Sequence, residues 1–145
     1  MKKIAIIGVT GSIGLQGVDI IERNKDAFEL SLISAHSNRE GLISLANRYR
    51  VPTVCYSGSN PPDKSSFLYP CAYITGDDAL VRAAESADYD IFLNAVVGID
   101  SLRPTLVAME KGARIALSNK EIILVFTVID EKFADIPQKT LNGLI

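Results

Sequence analysis

Three clusters of residues in this sequence carry chemistry that a merely structural domain does not need. The first is Gly8-Val9-Thr10-Gly11-Ser12-Ile13-Gly14, which has a glycine at every third position, directly after an apolar run and directly before a stretch of helical spacing. A pyrophosphate requires backbone amides at close range and the positive end of a helix dipole, and glycines permit both the tight turn and the approach. The spacing GxxGxxG departs from the common GxGxxG fingerprint, and a strand-to-helix turn without a ligand is the plain alternative. The second cluster, His36-Ser37-Asn38-Arg39, follows the next apolar run. A domain that binds NAD places Asp or Glu there to accept hydrogen bonds from the ribose 2′-hydroxyl. That acid is absent. Hydrogen-bond donors and a permanent guanidinium charge suit a 2′-phosphate instead, so NADPH is the expected cofactor. Arg39 also fits a solvated first-turn residue of a helix. His36 fits a structural or solvent-facing residue, and the chain has no second histidine to build a metal site with it. The third cluster is Asn119-Lys120-Glu121. A lysine at a helix start on a ligand rim can meet the oxygens of a phosphosugar, and Asn119 can both donate to and accept from an amide such as that of nicotinamide. The competing reading is a surface helix start capped by Asn119.

These clusters need elements to hold them, and the apolar pattern supplies a strand-helix alternation. Residues 4–7 form a short continuous apolar run stopped by Gly8, the pattern of a strand buried on both faces. Helical spacing over about residues 12–24 puts Ile13, Val18, Ile20 and Ile21 on the expected buried face, with Asn24 as its stop. A strand over 28–35 and a helix over 40–50 follow, the helix burying Leu42, Leu45 and Ala46 and ending before Pro52. Residues 53–56 read as a third strand and 57–69 as loop. Thr75 or Asp77 caps a helix reaching about Ala87, and a strand is expected over 89–97. Ser101 opens a helix with Pro104 in its first turn and Gly112 closing it, residues 114–117 form a strand, and a new helix begins near Lys120. This alternation predicts an α/β domain of Rossmann type, doubly wound, with a mostly parallel sheet and helices on both faces. The loops starting at Gly8, Ala35, Asn94 and Ser118 then share one rim.

Composition excludes several classes of function. The 145 residues carry 15 basic and 17 acidic side chains for a net charge of −2, and the longest basic run is Lys2-Lys3, so nucleic acid is not an expected partner. The apolar run after those lysines ends in a glycine turn, unlike an export signal. No apolar stretch is long enough to span a bilayer. A cytoplasmic location is the default expectation. Cys55 and Cys71 are sixteen positions apart without a CxxC pairing and are expected to be reduced thiols.

Taken together, GVTGSIG at Gly8, NAVVGIDSLRPTL at Asn94 and ALSNKE at Ala116 resemble 1-deoxy-D-xylulose 5-phosphate reductoisomerase in order, spacing and wording. The resemblance covers about residues 2–125. It implies the enzyme's NADPH-binding domain over 1–125, followed by a divergent tail over 126–145. It also implies cofactor contacts from Gly8, Thr10, Gly11, Ser12, Ile13, Gly14, Ser37, Asn38, Asn119 and Glu121, with Lys120 reaching the substrate. His36 and Arg39 join them from the missing acid. The parent reaction of the non-mevalonate isoprenoid pathway isomerises 1-deoxy-D-xylulose 5-phosphate and reduces the product with NADPH to 2-C-methyl-D-erythritol 4-phosphate. It requires Mg²⁺ or Mn²⁺, and a homodimer is the expected state of the complete enzyme.

Where that family continues with an Asp-Ser-Glu metal motif and a long catalytic domain, this chain reads FTVIDEKFADIPQKTLNGLI. No catalytic residue or metal ligand is therefore expected within it, and the chain alone is expected to be inactive, either truncated or the product of a shortened or frameshifted reading frame. Two alternatives remain at this point. One is a non-catalytic NADP-binding module or remnant. The other is the cofactor domain of a semialdehyde-dehydrogenase-like enzyme, which needs a cysteine nucleophile beside the nicotinamide.

Overall fold

The computed structural model describes residues 1–118. Its elements alternate as β1 (Lys2–Ile7), α1 (Ser12–Arg23), β2 (Phe28–Ala35), α2 (Arg39–Tyr49), β3 (Thr53–Tyr56), β4 (Ala72–Thr75), α3 (Ala79–Ser86), β5 (Ile91–Asn94), α4 (Leu102–Glu110) and β6 (Arg114–Leu117), with a 3₁₀ turn at Lys64–Ser66. The strands form one sheet in the order β4-β3-β2-β1-β5-β6, and every neighbouring pair is parallel. The chain builds outward from β1 to β4 and then returns to lay β5 on the other side of β1. That reversal is the topological switch point beside which doubly wound sheets hold their ligands.

Strand β1 shows how the two faces are filled. Its side chains alternate, so Ile4 and Ile6 join Val18 and Ile21 of α1 and Leu42 and Ala46 of α2 in one apolar cluster. Ala5 and Ile7 join Ala79 and Ala83 of α3 and Ala108 of α4 in another. On the second face Lys111 donates to the carbonyls of Ala84 and Glu85 at 2.9 and 3.1 Å and lies 4.4 Å from the centre of the Tyr89 ring. A cation thus meets the negative end of α3 and ties α4 to it.

The fold class and most elements match the sequence-based expectation, with four corrections. In α1 the buried residues are Gly14, Val18 and Ile21, whereas Ile13 and Ile20 are 42% and 55% exposed. The stripe at Ile13 and Ile20 is turned away because glycines make the close approaches of α1, Gly14 to the Gly8-Val9 backbone and Gly17 to Ile6 and Leu93 of the sheet. Strand β4 was not expected: Ala72–Thr75 is a partly exposed edge strand of four residues, too short for its alternation to register. Thr75 is therefore a strand residue, and neither it nor Asp77 caps the next helix. Asp78 occupies that position with φ 54° and makes no side-chain capping bond. Strand β5 spans only Ile91–Asn94, because Tyr89 turns in to donate its hydroxyl to the Ala84 carbonyl at 2.8 Å and Val97 lies 91% exposed beyond the sheet.

Both cysteines are free thiols among the described residues. Cys55 is fully buried in β3, and burial pushes its thiol up to about 12. The folded chain thus keeps a proton that an unfolded thiol releases near about 8.5, so this contribution to stability is complete below that pH and is lost as pH rises toward the folded value. The thermal midpoint should fall steadily above pH ~8.5, and Cys55→Ala should flatten that fall whatever its midpoint at neutrality. Parallel alkaline slopes for the two chains would contradict the assignment.

Candidate functional site

The carboxyl ends of the strands form one rim. Ile7 pairs with Asn94, Asn94 with Leu117 and Ala35 with Tyr56, so the loops after Gly8, Ala35 and Asn94 leave from one edge, as expected, and β6 ends at that edge just before Ser118. At its centre lies the glycine loop. The amide of Gly8 donates to Ser34 Oγ at 3.0 Å and that of Val9 to the Ser34 carbonyl at 2.9 Å, which ties the loop to β2. Toward β5 it is closed by contact: Gly8 has φ +77°, and a Cβ on it would lie 2.9 Å from the Ala95 carbonyl.

The remaining two glycines differ. A Cβ on Gly14 would lie 2.4 Å from the Gly8 carbonyl oxygen and 2.6 Å from Val9 Cα, so α1 can start here only with glycine. On Gly11 the nearest atom would be 3.6 Å away, and its φ of −79° is ordinary for any residue. The fold therefore does not require glycine at position 11, where a Cβ would meet the Gly8 carbonyl oxygen only at ordinary contact distance. Gly11 is the N-cap of α1 and offers no side-chain cap. The amides of Ser12, Ile13 and Gly14 belong to the first turn, which has no helical acceptors, and among the described residues no other group accepts from them. Nor do the Thr10 and Ser12 hydroxyls form a hydrogen bond among these residues. Three converging donors and two hydroxyls at the positive end of a twelve-residue helix fit an anionic group such as a pyrophosphate.

Beside this loop, His36, Ser37, Asn38 and Arg39 are all exposed at the end of β2. Ser37, Asn38 and Arg39 line one surface hollow with Glu40 and Ile43. Asn38 has a local duty, because its Oδ1 accepts from the Gly41 amide at 2.9 Å and caps α2. Arg39 makes no ion pair among the described residues, which leaves its guanidinium available. Asn119, Lys120 and Glu121 lie outside the described residues, as does the tail over 126–145.

Sequence reasoning missed the residues that brace the rim. Asn94 is fully buried; its Nδ2 donates to Ser101 Oγ at 2.8 Å and Thr105 Oγ1 at 3.0 Å, and its Oδ1 accepts from the Val96 amide at 3.1 Å. Ser118 donates to the Asn94 carbonyl through its hydroxyl at 2.8 Å and its amide at 3.1 Å. The available signal was an asparagine ending an apolar strand with serine and threonine seven and eleven residues on. The thiols, in contrast, do not suit nucleophilic catalysis. Cys55 faces a core cluster with its pKa raised, and burial raises Cys71 as well. The structure thus weighs against the semialdehyde-dehydrogenase alternative. Among the described residues there is no group of three or more His, Cys, Asp or Glu able to hold a metal ion, and no helix long and apolar enough to cross a membrane.

The profile of the 1-deoxy-D-xylulose 5-phosphate reductoisomerase family matches residues 4–127. The chain is 37% identical over 126 residues to the reductoisomerase of Exiguobacterium sibiricum, covering 86% of this chain and 33% of that one. It is 32% identical over 137 residues to that of Persephonella marina, covering 94% and 35%. The chain thus spans about a third of the length of these relatives. Among solved structures, the Zymomonas mobilis reductoisomerase in complex with NADPH superposes with a TM-score of 0.80 at 28% identity, over 96% of this chain and 36% of that one. A reductoisomerase in complex with NADPH, fosmidomycin and magnesium superposes with a TM-score of 0.75 at 28% identity, over 85% and 31%.

The unequal glycines make a direct test of the loop. Gly14→Ala should cost about 1–3 kcal/mol of stability, because helix and loop must move apart, whereas Gly11→Ala should stay within about 0.5 kcal/mol of the parent. Urea midpoints measure both, and equal losses would mean that the loop is packed differently.

Proposed function

The chain belongs to the 1-deoxy-D-xylulose 5-phosphate reductoisomerase family, and from that premise we propose that it is the part of such an enzyme that holds NADPH. The observation that carries this reading is the set of unpaired amides on Ser12, Ile13 and Gly14 beside the switch point, next to Gly11, whose position has room for a Cβ. The pyrophosphate rests there, with Thr10 and Ser12 adding hydroxyl donors and Gly8 and Gly14 shaping the turn. The adenosine 2′-phosphate lies toward His36, Ser37, Asn38 and Arg39, where the guanidinium supplies the charge. When bound, NADPH supplies hydride. Asn119 and Glu121 belong to the cofactor side and Lys120 to the phosphosugar.

The reaction served is the isomerisation of 1-deoxy-D-xylulose 5-phosphate and its reduction to 2-C-methyl-D-erythritol 4-phosphate. Its Mg²⁺ or Mn²⁺ is held by groups other than the described residues. A boundary near residue 125, a cytoplasmic setting and a homodimer of the complete enzyme belong to the same reading and rest on sequence and family likeness.

Calorimetry on the chain should find NADPH bound more tightly than NADH, and Arg39→Ala should narrow the difference. Equal affinities in the parent would overturn the choice of cofactor, and an unchanged ratio in the variant would clear Arg39.

Gly11→Val provides the companion test. Because Gly11 has ordinary backbone angles and room for a Cβ, the variant should fold with a cooperative transition near that of the parent. A ligand at a hundred times its Kd stabilises the folded chain by about 2.7 kcal/mol. Saturating NADPH should therefore raise the parent's thermal midpoint and leave that of Gly11→Val in place. Equal rises in the two chains would put the phosphates elsewhere.

A further inference from the structure

We infer that Ser57 is a positioning residue for nucleotide selection, holding the His36 imidazole so that its free ring nitrogen meets the adenosine 2′-phosphate; this rests on the placement of that phosphate proposed above. Three observations converge on the pair. Strands β2 and β3 pair as far as Ala35 and Tyr56, and one residue beyond them the Ser57 amide still donates to the Ala35 carbonyl at 3.0 Å. Ser57 Oγ then lies 3.2 Å from His36 Nδ1. At the next position a Cβ would sit 1.8 Å from the His36 carbonyl oxygen, so only the glycine at 58 lets the end of β3 lie against His36.

The main chain at His36 is therefore hemmed in and one ring nitrogen is engaged. Nε2 is left for a ligand, on an exposed side chain at the strand end where Rossmann domains read the ribose. The Ser57 hydroxyl is assigned as donor to Nδ1, which selects the tautomer in which a neutral ring carries its proton on Nε2 and can donate it to a phosphate oxygen. A ring already held in place loses less conformational freedom when the nucleotide arrives. NADH lacks the 2′-phosphate, so the device acts on NADPH alone.

The test is the ratio of the NADH and NADPH dissociation constants, from fluorescence titrations of the parent chain and its variants. His36→Ala should lower the ratio about tenfold, and Ser57→Ala about threefold to fivefold, the range of a hydrogen bond to a charged group and of a neutral one. In Ser57→Ala the loss should come from NADPH, with NADH unchanged. Ser57→Thr keeps the hydroxyl and should retain the parent ratio. Because Ser57 acts through the ring, the double variant should match His36→Ala alone. An unchanged ratio in Ser57→Ala, or an equal loss from that substitution with and without His36, would overturn the inference. If Arg39→Ala lowers the ratio while Ser57→Ala does not, the NADPH reading stands and the role of Ser57 falls. A parent ratio of one removes both.

Discussion

Helix α1 begins in contact with the backbone of the loop that feeds it, at a distance that leaves no room for a Cβ on Gly14. Much of the site depends on this contact. It sets the rotational phase of the helix, so that Gly14 lies against the loop, Val18 and Ile21 are buried and Ile13 and Ile20 face outward. It also brings the first-turn amides to the rim beside Gly8, where the loop is already bonded to Ser34 on one side and pressed against Ala95 on the other. A helix start without a side-chain cap leaves donors unsatisfied. Here that local deficit is what the proposed pyrophosphate site draws on.

The second support is polar and buried. Asn94 ends β5 where the chain has switched sides, and both its amide hydrogens and its oxygen are used. Leaving any of these partners unpaired in the core would cost about 1–3 kcal/mol, so the network ties the start of α4 to the end of β5. Through the Asn94 carbonyl it also holds Ser118, the last described residue before Asn119. The glycine loop is braced by main-chain contact and its neighbour by side-chain hydrogen bonds, and the two meet at Ala95, whose amide donates to the Ile7 carbonyl at 3.0 Å.

The distribution of reactive groups agrees with a binding role for this part of the chain. Its thiols are packed into the sheet and its side, with their protons held, while the rim beside α1 and β2 offers amides, hydroxyls, the His36 imidazole and the Arg39 guanidinium. Such groups recognise phosphate and ribose by donation and charge.

The sequence by itself determined the alternation of strands and helices, and hence the fold class. Apolar runs stopped by glycine and helical spacing after them are local signals, and parallel strands joined by helices have one common solution. The glycine loop and the missing acid after Ala35 were legible for the same reason, since each depends on residue types next to one another in the chain. What only the tertiary structure decided are matters of distance between segments far apart in sequence. Which stripe of α1 is buried depended on the approach of Gly14 to Gly8. The strand at Ala72–Thr75 depended on an edge being free beside β3, because its own four residues are too few to announce a period. Asn38 turned out to spend its side-chain oxygen on a helix cap, and Ser57, inside a stretch with only turn composition, met His36 twenty-one residues away. Periodicity records what a residue prefers, and packing decides what it touches.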